Sequence, residues 1–162
     1  MTSGSTAAAA EWVDDLAVAL RLDEKRHSES TPELRRAAGL LFDMDLGMVI
    51  GKLNAFGVAK DWSESRLRVA EAQYRCYMFL NFKYGARQTL PCWDDVDEVW
   101  HAHILDTRRY IADCDRIFGG YVHHFPYLGT RGPDDAQALK DSFEDTQLLY
   151  RREFGDFIYQ LD

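Results

Sequence analysis

The chain has 162 residues, of which 46% are hydrophobic and 28% charged, and this composition excludes a disordered protein. Its formal net charge of −8 argues against nucleic-acid or anionic-membrane partners, because phosphate contacts need clustered Lys and Arg. Since no apolar run approaches the roughly 20 residues of a membrane span and no export signal is recognisable, we expect a cytoplasmic protein.

Apolar residues that recur every three to four positions predict an all-α fold, a compact single-domain bundle of about five helices. Residues 1–10 are expected to be disordered and residues 11–162 to form the helical domain, which begins with a helix over residues 11–22. Thr31 before a proline is a typical start for the next helix, and the glycines that follow predict a break near residues 43–47.

Two long helices are predicted to form the centre of the bundle. The first covers residues 64–84, with Asp61 as its capping residue, and it is apolar on much of its circumference, as a central helix is. The second covers residues 94–118, where Asp94 or Asp95 would cap the start and a pair of glycines marks the end. Three aromatic side chains share its apolar stripe and are expected to be mostly buried: Trp100, Tyr110 and Phe118.

The reactive side chains concentrate in the second of these helices and in the loop that follows it. That loop, residues 121–133, is irregular, its first residues 121–125 are the best candidate for a short strand, and a last helix is predicted over residues 134–154. Four of the five histidines and one of the three cysteines lie between residues 96 and 126. Imidazole and thiolate bind transition metals and transfer protons near neutral pH, so this region is the predicted functional site.

Helical geometry separates the first two of these histidines. Side chains two residues apart point about 200° apart on a helix, so His101 and His103 face different surroundings. His103 lies on the apolar stripe, whereas His101 lies one turn after Asp97, and such a pair can supply two metal ligands or one ligand and its orienting carboxylate. The first candidate site is therefore Asp97 with His101, completed by a group from another helix such as Glu71 or Tyr74.

A second candidate site comprises Cys114, His123 and His124, around the end of the same helix. If the helix is continuous, His101 and the last helical residue are roughly 25 Å apart, and the six residues that follow span at most roughly 20 Å. His124 then reaches Cys114 or Tyr110 more easily than His101, and one site that joins His101 to His124 is geometrically demanding. If this region binds a metal, the expected ion is Zn or Fe.

The stretch VDEVWHAHILDTRRYIADCDRIFGGYVHHFP resembles the motif DxxWHxHxLxTxxYxxxCxxxFGxxxxH of the glycine-rich domain-containing protein-like family. The agreeing residues are Asp97, Trp100, His101, Leu105, Thr107, Tyr110, Cys114, Phe118, Gly119 and His124. The resemblance covers about a quarter of the chain and carries over no settled activity. Some bacterial members have Phe where His103 stands, and this favours His101 and His124 as the functional histidines.

These observations favour a small metal-dependent protein, an enzyme that acts on a small molecule. Asp97 and His101 would bind the ion, a coordinated water would react, and His124 or Tyr110 would donate or accept protons. Two alternatives need no metal: an acid–base catalyst or small-molecule binder, and a protein-interaction module in which the histidines are structural. Bound metal would separate the first hypothesis from the others, and a ligand-sized cleft beside His101 would separate the other two.

Overall fold

The computed structural model describes residues 31–56 and 58–155, and these contain six α-helices, one short 3-10 helix and no strand. The α-helices are α1 (Pro32–Phe42), α2 (Gly47–Phe56), α3 (Glu64–Tyr84), α4 (Asp94–Leu105), α5 (Thr107–Phe118) and α6 (Pro133–Phe154), and the 3-10 helix is Val58–Asp61. The predicted compact all-α fold is confirmed. The helix predicted over residues 11–22 and the predicted disorder of residues 1–10 lie outside the described residues.

The start of α1 and the break after it follow the sequence prediction. Thr31 is the N-cap of α1, and its side chain accepts a hydrogen bond from the amide of Leu34 at 3.3 Å. The chain leaves the helical conformation between α1 and α2, within the predicted break near residues 43–47. The guanidinium group of Arg75 in α3 donates to three carbonyl oxygens at this break, so these backbone acceptors are satisfied against the central helix.

α3 is the central helix, as predicted, but its capping residue differs from the prediction. The N-cap is Ser63, whose side chain accepts a hydrogen bond from the amide of Arg66 at 3.2 Å. Asp61 cannot take this role because it belongs to the preceding 3-10 helix. The buried residues of α3 are Leu67, Val69, Ala70, Ala72, Gln73, Tyr74, Cys76, Tyr77, Met78, Phe79 and Leu80.

The start of α4 also differs from the prediction that Asp94 or Asp95 caps it. Trp93 is the N-cap residue, and it makes no side-chain hydrogen bond to the helix. The carboxylate of Asp95 instead accepts two hydrogen bonds from Arg66, at 2.8 and 2.9 Å. Asp95 therefore joins α4 to the beginning of α3 and does not cap its own helix.

The single helix predicted over residues 94–118 is wrong, because α4 and α5 are separate helices that meet at Asp106. Asp106 has a ψ of 70°, outside the helical range, and its carboxylate accepts a hydrogen bond from the amide of Arg109 at 3.5 Å. Asp106 is therefore the N-cap of α5. The apolar stripe continues across this cap, and for that reason the hydrophobic pattern alone does not reveal the break.

The remainder of the described chain follows the predicted order. α5 ends at Gly119, whose φ of 74° is the left-handed conformation that favours glycine. Residues 121–125 form no strand and lie in an irregular segment that leads to α6. Trp100 and Tyr110 are buried as predicted, and Phe118 is half-buried against the core. None of the described helices combines the length and apolarity that a membrane crossing needs.

Candidate metal centre

A carboxylate and two imidazoles meet beside α4. One potential ligand atom from each of Asp97, His101 and His124 lies within 4.8 Å of the other two. Asp97 and His101 belong to successive turns of α4, whereas His124 belongs to the loop after α5. These three side chains, called the ligand triad below, form a group that could bind a metal ion.

Asp97 lies between the two imidazoles of the ligand triad. Its Oδ1 atom is 2.7 Å from Nε2 of His124, and its Oδ2 atom is 3.4 Å from Nδ1 of His101. Two ligands of a tetrahedral Zn²⁺ ion lie roughly 3.3 Å apart, because each bond measures about 2.0–2.1 Å. The two observed separations lie on either side of this value, so small side-chain rotations would place the three groups around one cation.

The break at Asp106 explains how His124 reaches His101. Because α4 and α5 are separate helices, α5 need not continue along α4, and the loop after it places His124 beside α4. The ring centroids of His101 and His124 are 4.7 Å apart, and those of Trp100 and His124 are 4.5 Å apart. The reach estimated for a continuous helix therefore does not apply, and the two histidines, whose shared site the sequence left possible but geometrically demanding, belong to one group.

The two side chains proposed to complete the first site have other partners. Glu71 pairs with Arg75 on the next turn of α3. The hydroxyl group of Tyr74 donates a hydrogen bond to Nδ1 of His103 at 2.9 Å. The group that completes Asp97 and His101 is therefore His124, which comes from a loop and not from another helix.

The structure does not assemble Cys114, His123 and His124 into a ligand group. Cys114 is buried, and this burial raises the pKa of its thiol. His123 is exposed, and its ring lies against Tyr121 with a centroid distance of 4.8 Å. Of the histidines and cysteine predicted for the second site, His124 alone belongs to the ligand triad.

His103 is buried on the opposite side of α4, as its place on the apolar stripe predicts. Its Nε2 atom donates to Oδ2 of Asp113 at 3.2 Å, and its Nδ1 atom accepts from Tyr74. Burial lowers the pKa of His103, an effect that the charge of Asp113 opposes. Both ring nitrogens already have protein partners, so His103 offers no free atom to a ligand.

Tyr110 lies behind the ligand triad and is fully buried. Its hydroxyl group accepts a hydrogen bond from Nε1 of Trp100 at 2.9 Å and donates one to the carbonyl oxygen of Val122 at 2.6 Å. Burial raises the pKa of Tyr110 far above its ordinary value, so the hydroxyl stays protonated. The phenol group is therefore engaged within the protein and does not face the cleft described next.

The ligand triad lies in the wall of a cleft of about 820 Å³, a volume within the usual range of small-molecule sites. The loop between α3 and α4 contributes polar side chains to the cleft, and the loop after α5 contributes mostly apolar ones. Representative polar lining residues are Arg87, Gln88 and Thr89, and representative apolar ones are Phe125, Leu128 and Leu139. A small molecule in this cleft would therefore contact the ligand triad.

Cys92 is a neighbour of the ligand triad to which no sequence motif points. All three cysteines are free, and Sγ of Cys92 lies 3.4 Å from Oδ1 of Asp97. Burial and then the charge of Asp97 raise the pKa of the Cys92 thiol, so the neutral thiol donates to the carboxylate. Cys92 lies in a loop, where no helical spacing relates it to Asp97, so the sequence carries no signal for this contact.

Comparison with known proteins identifies no relative of the chain. No family model matches the chain, and neither a curated protein nor a solved structure matches it with significance. The resemblance to the glycine-rich domain-containing protein-like family stays a prediction from the motif residues.

Proposed function

We propose that the chain is a small metal-dependent enzyme that binds Zn or Fe at Asp97, His101 and His124 and acts on a small molecule. The observation that carries this proposal is that the ligand triad meets in the wall of a ligand-sized cleft. Catalytic metal sites use three protein ligands and leave a position open, whereas structural zinc sites use four. Two histidines and one carboxylate form a set that both Zn²⁺ and Fe²⁺ accept.

The protein groups of the ligand triad are suited to a cation in charge and in position. Asp97 supplies one negative charge, and His101 and His124 supply neutral nitrogen ligands. In the metal-free arrangement Nε2 of His124 donates a hydrogen bond to Oδ1 of Asp97, and a bound ion would take the place of this hydrogen bond. The bound ion would supply Lewis-acid chemistry to a small molecule in the cleft.

Proton transfer in the cleft is assigned to His123 under this proposal. His124 would be occupied by the ion, and the hydroxyl group of Tyr110 is engaged by Trp100 and Val122. His123 is exposed, lines the same cleft and lies outside the ligand triad. An imidazole in this position can donate or accept a proton near neutral pH.

The motif resemblance supports the proposal. All three members of the ligand triad are among the residues that agree with the motif of the glycine-rich domain-containing protein-like family, whereas His123 is not. We therefore propose that the chain is related to this family and that the shared motif marks the metal centre.

A second candidate function is acid–base catalysis without a metal. The contact of 2.7 Å between His124 and Asp97 favours it, because a carboxylate that orients an imidazole is the arrangement of a general base. The same cleft would hold the substrate. The cleft also favours both of these functions over an interaction module in which the histidines are purely structural.

Metal analysis of protein purified without a histidine tag separates the two candidates. The protein would be stripped with a chelator and titrated with Zn²⁺ and, without oxygen, with Fe²⁺, and uptake would be measured by elemental analysis. We expect one ion per chain and a higher melting temperature, since an ion at 100 times its Kd adds about 2.7 kcal/mol to the free energy of unfolding.

Variants locate the ion. Asp97→Asn, His101→Ala and His124→Ala should each lose metal uptake while they keep the helical circular dichroism spectrum. His123→Ala is the matched control, because it removes an imidazole from the same loop but not from the ligand triad. A parent protein that binds neither ion would overturn the metal proposal and leave acid–base catalysis in its place.

A further inference from the structure

We propose that the hydroxyl group of Tyr110 positions His124 in the metal centre, so that Tyr110 sets the metal affinity without touching the ion. This inference rests on the proposed function. It assigns Tyr110 a positioning role in place of the proton-transfer role predicted for it from the sequence.

The hydroxyl group of Tyr110 joins the two chain segments that carry the ligand triad. It accepts a hydrogen bond from Nε1 of Trp100, the residue before His101 in α4, at 2.9 Å. It donates to the carbonyl oxygen of Val122, two residues before His124, at 2.6 Å. One atom of α5 therefore fixes the spacing between α4 and the loop that carries His124.

Trp100 extends this connection to the imidazole itself. Its ring packs against the ring of His124 with a centroid distance of 4.5 Å. The bond to Tyr110 holds the indole in its orientation, and the indole in turn supports one face of the imidazole. Asp97 then holds the edge of the same imidazole through Nε2. Contacts to its backbone segment, to its ring face and to its ring edge therefore together fix the position of His124.

Burial makes these two hydrogen bonds difficult to replace. Tyr110 is fully buried and Trp100 is 5% exposed, so water cannot readily substitute for the hydroxyl group. Loss of the hydroxyl leaves the Trp100 donor without its partner and frees the Val122 carbonyl, while the aromatic ring still fills its space.

Tyr74 in α3 offers a matched control, because its hydroxyl group faces His103 and not the loop that carries His124. It is also fully buried, and its hydroxyl group makes a buried hydrogen bond of 2.9 Å, but to His103. Tyr74→Phe and Tyr110→Phe therefore remove the same atom from similarly buried rings. Only Tyr110→Phe removes a contact to the loop that carries His124.

The first experiment compares the metal affinity of the two variants. We expect Tyr110→Phe to weaken Zn²⁺ binding by about 10–100-fold, the usual effect of losing a group that orients a ligand. Tyr74→Phe should leave the affinity unchanged, although its melting temperature falls by a comparable amount. The visible spectrum of bound Co²⁺, which reports ligand geometry, should change in Tyr110→Phe alone. Equal affinity losses in the two variants would show that Tyr110 acts only through stability, and would overturn the inference.

A second experiment needs no metal. Hydrogen exchange of the backbone amides at residues 121–125 should become faster in metal-free Tyr110→Phe and stay unchanged in Tyr74→Phe. If the parent binds no metal, the proposed function fails, but faster exchange would still support the positioning of His124 by Tyr110. Unchanged exchange in Tyr110→Phe would overturn that positioning, whatever the metal result.

Discussion

His101 and His103 lie two residues apart in α4, and each faces an aspartate, yet they lie on opposite faces of this helix. The side chain of His103 is 1% exposed and lies between Tyr74 and Asp113, so both of its nitrogens are satisfied by the protein. The side chain of His101 is 45% exposed and lies beside Asp97 in the cleft. A His–Asp contact therefore indicates a binding site only where a ring nitrogen can still be reached from solvent.

The largest effect on stability is expected from Trp100→Ala. Trp100 lies between the buried face and the cleft face of α4. Its ring packs against Tyr77 and His124 with centroid distances of 5.3 and 4.5 Å. Removal of a buried aromatic side chain should lower the free energy of unfolding by about 3–5 kcal/mol. Urea denaturation measures this change, and metal uptake should fall as well because His124 loses its support. An unchanged unfolding midpoint would show that the inner face of α4 is wrongly assigned.

His103→Ala tests the buried side alone. It leaves the hydroxyl group of Tyr74 and the carboxylate of Asp113 without a shared partner and creates a cavity, so the free energy of unfolding should fall by about 1–3 kcal/mol. The folded variant should bind metal as the parent does. If His103→Ala instead kept its stability and lost the metal, the roles assigned to His101 and His103 would have to be exchanged.

The sequence predicts the faces of α4 better than it predicts the ligand triad. The helical period places His103 in the core and sets Asp97 and His101 one turn apart, and the structure agrees on both points. The contact with His124 depends on the turn of the chain at Asp106, which interrupts the helix without interrupting its apolar stripe. Only the N-cap preference of aspartate marks this break, and tertiary contacts then decide where the loop returns.

Asp106→Ala tests whether this break assembles the ligand triad. Loss of an N-cap side chain should lower the free energy of unfolding by about 0.5–2 kcal/mol, measured by urea denaturation. It also weakens the signal that separates α4 from α5, so we expect weaker Zn²⁺ binding in the folded variant. Thr31→Ala is the control, because it removes the N-cap of α1 and should lower stability with no change in metal affinity. Parent-like affinity in Asp106→Ala would show that other contacts maintain the break.

The smallest effect on stability and on metal binding is expected from His123→Ala. This variant tests whether metal binding in the cleft needs a side chain outside the ligand triad. His123 lies next to His124 in sequence, but its ring is exposed and lies against Tyr121, with no place among the three close ligand atoms. An exposed side chain outside the core changes the free energy of unfolding by at most about 0.5 kcal/mol. Calorimetric titration with Zn²⁺ should therefore give the same stoichiometry and affinity as the parent. If His123→Ala instead loses the ion as His124→Ala does, the loop must move on binding to bring a third imidazole to the metal. The loop after α5 would then supply two imidazoles to the centre, and α4 would supply Asp97 and His101.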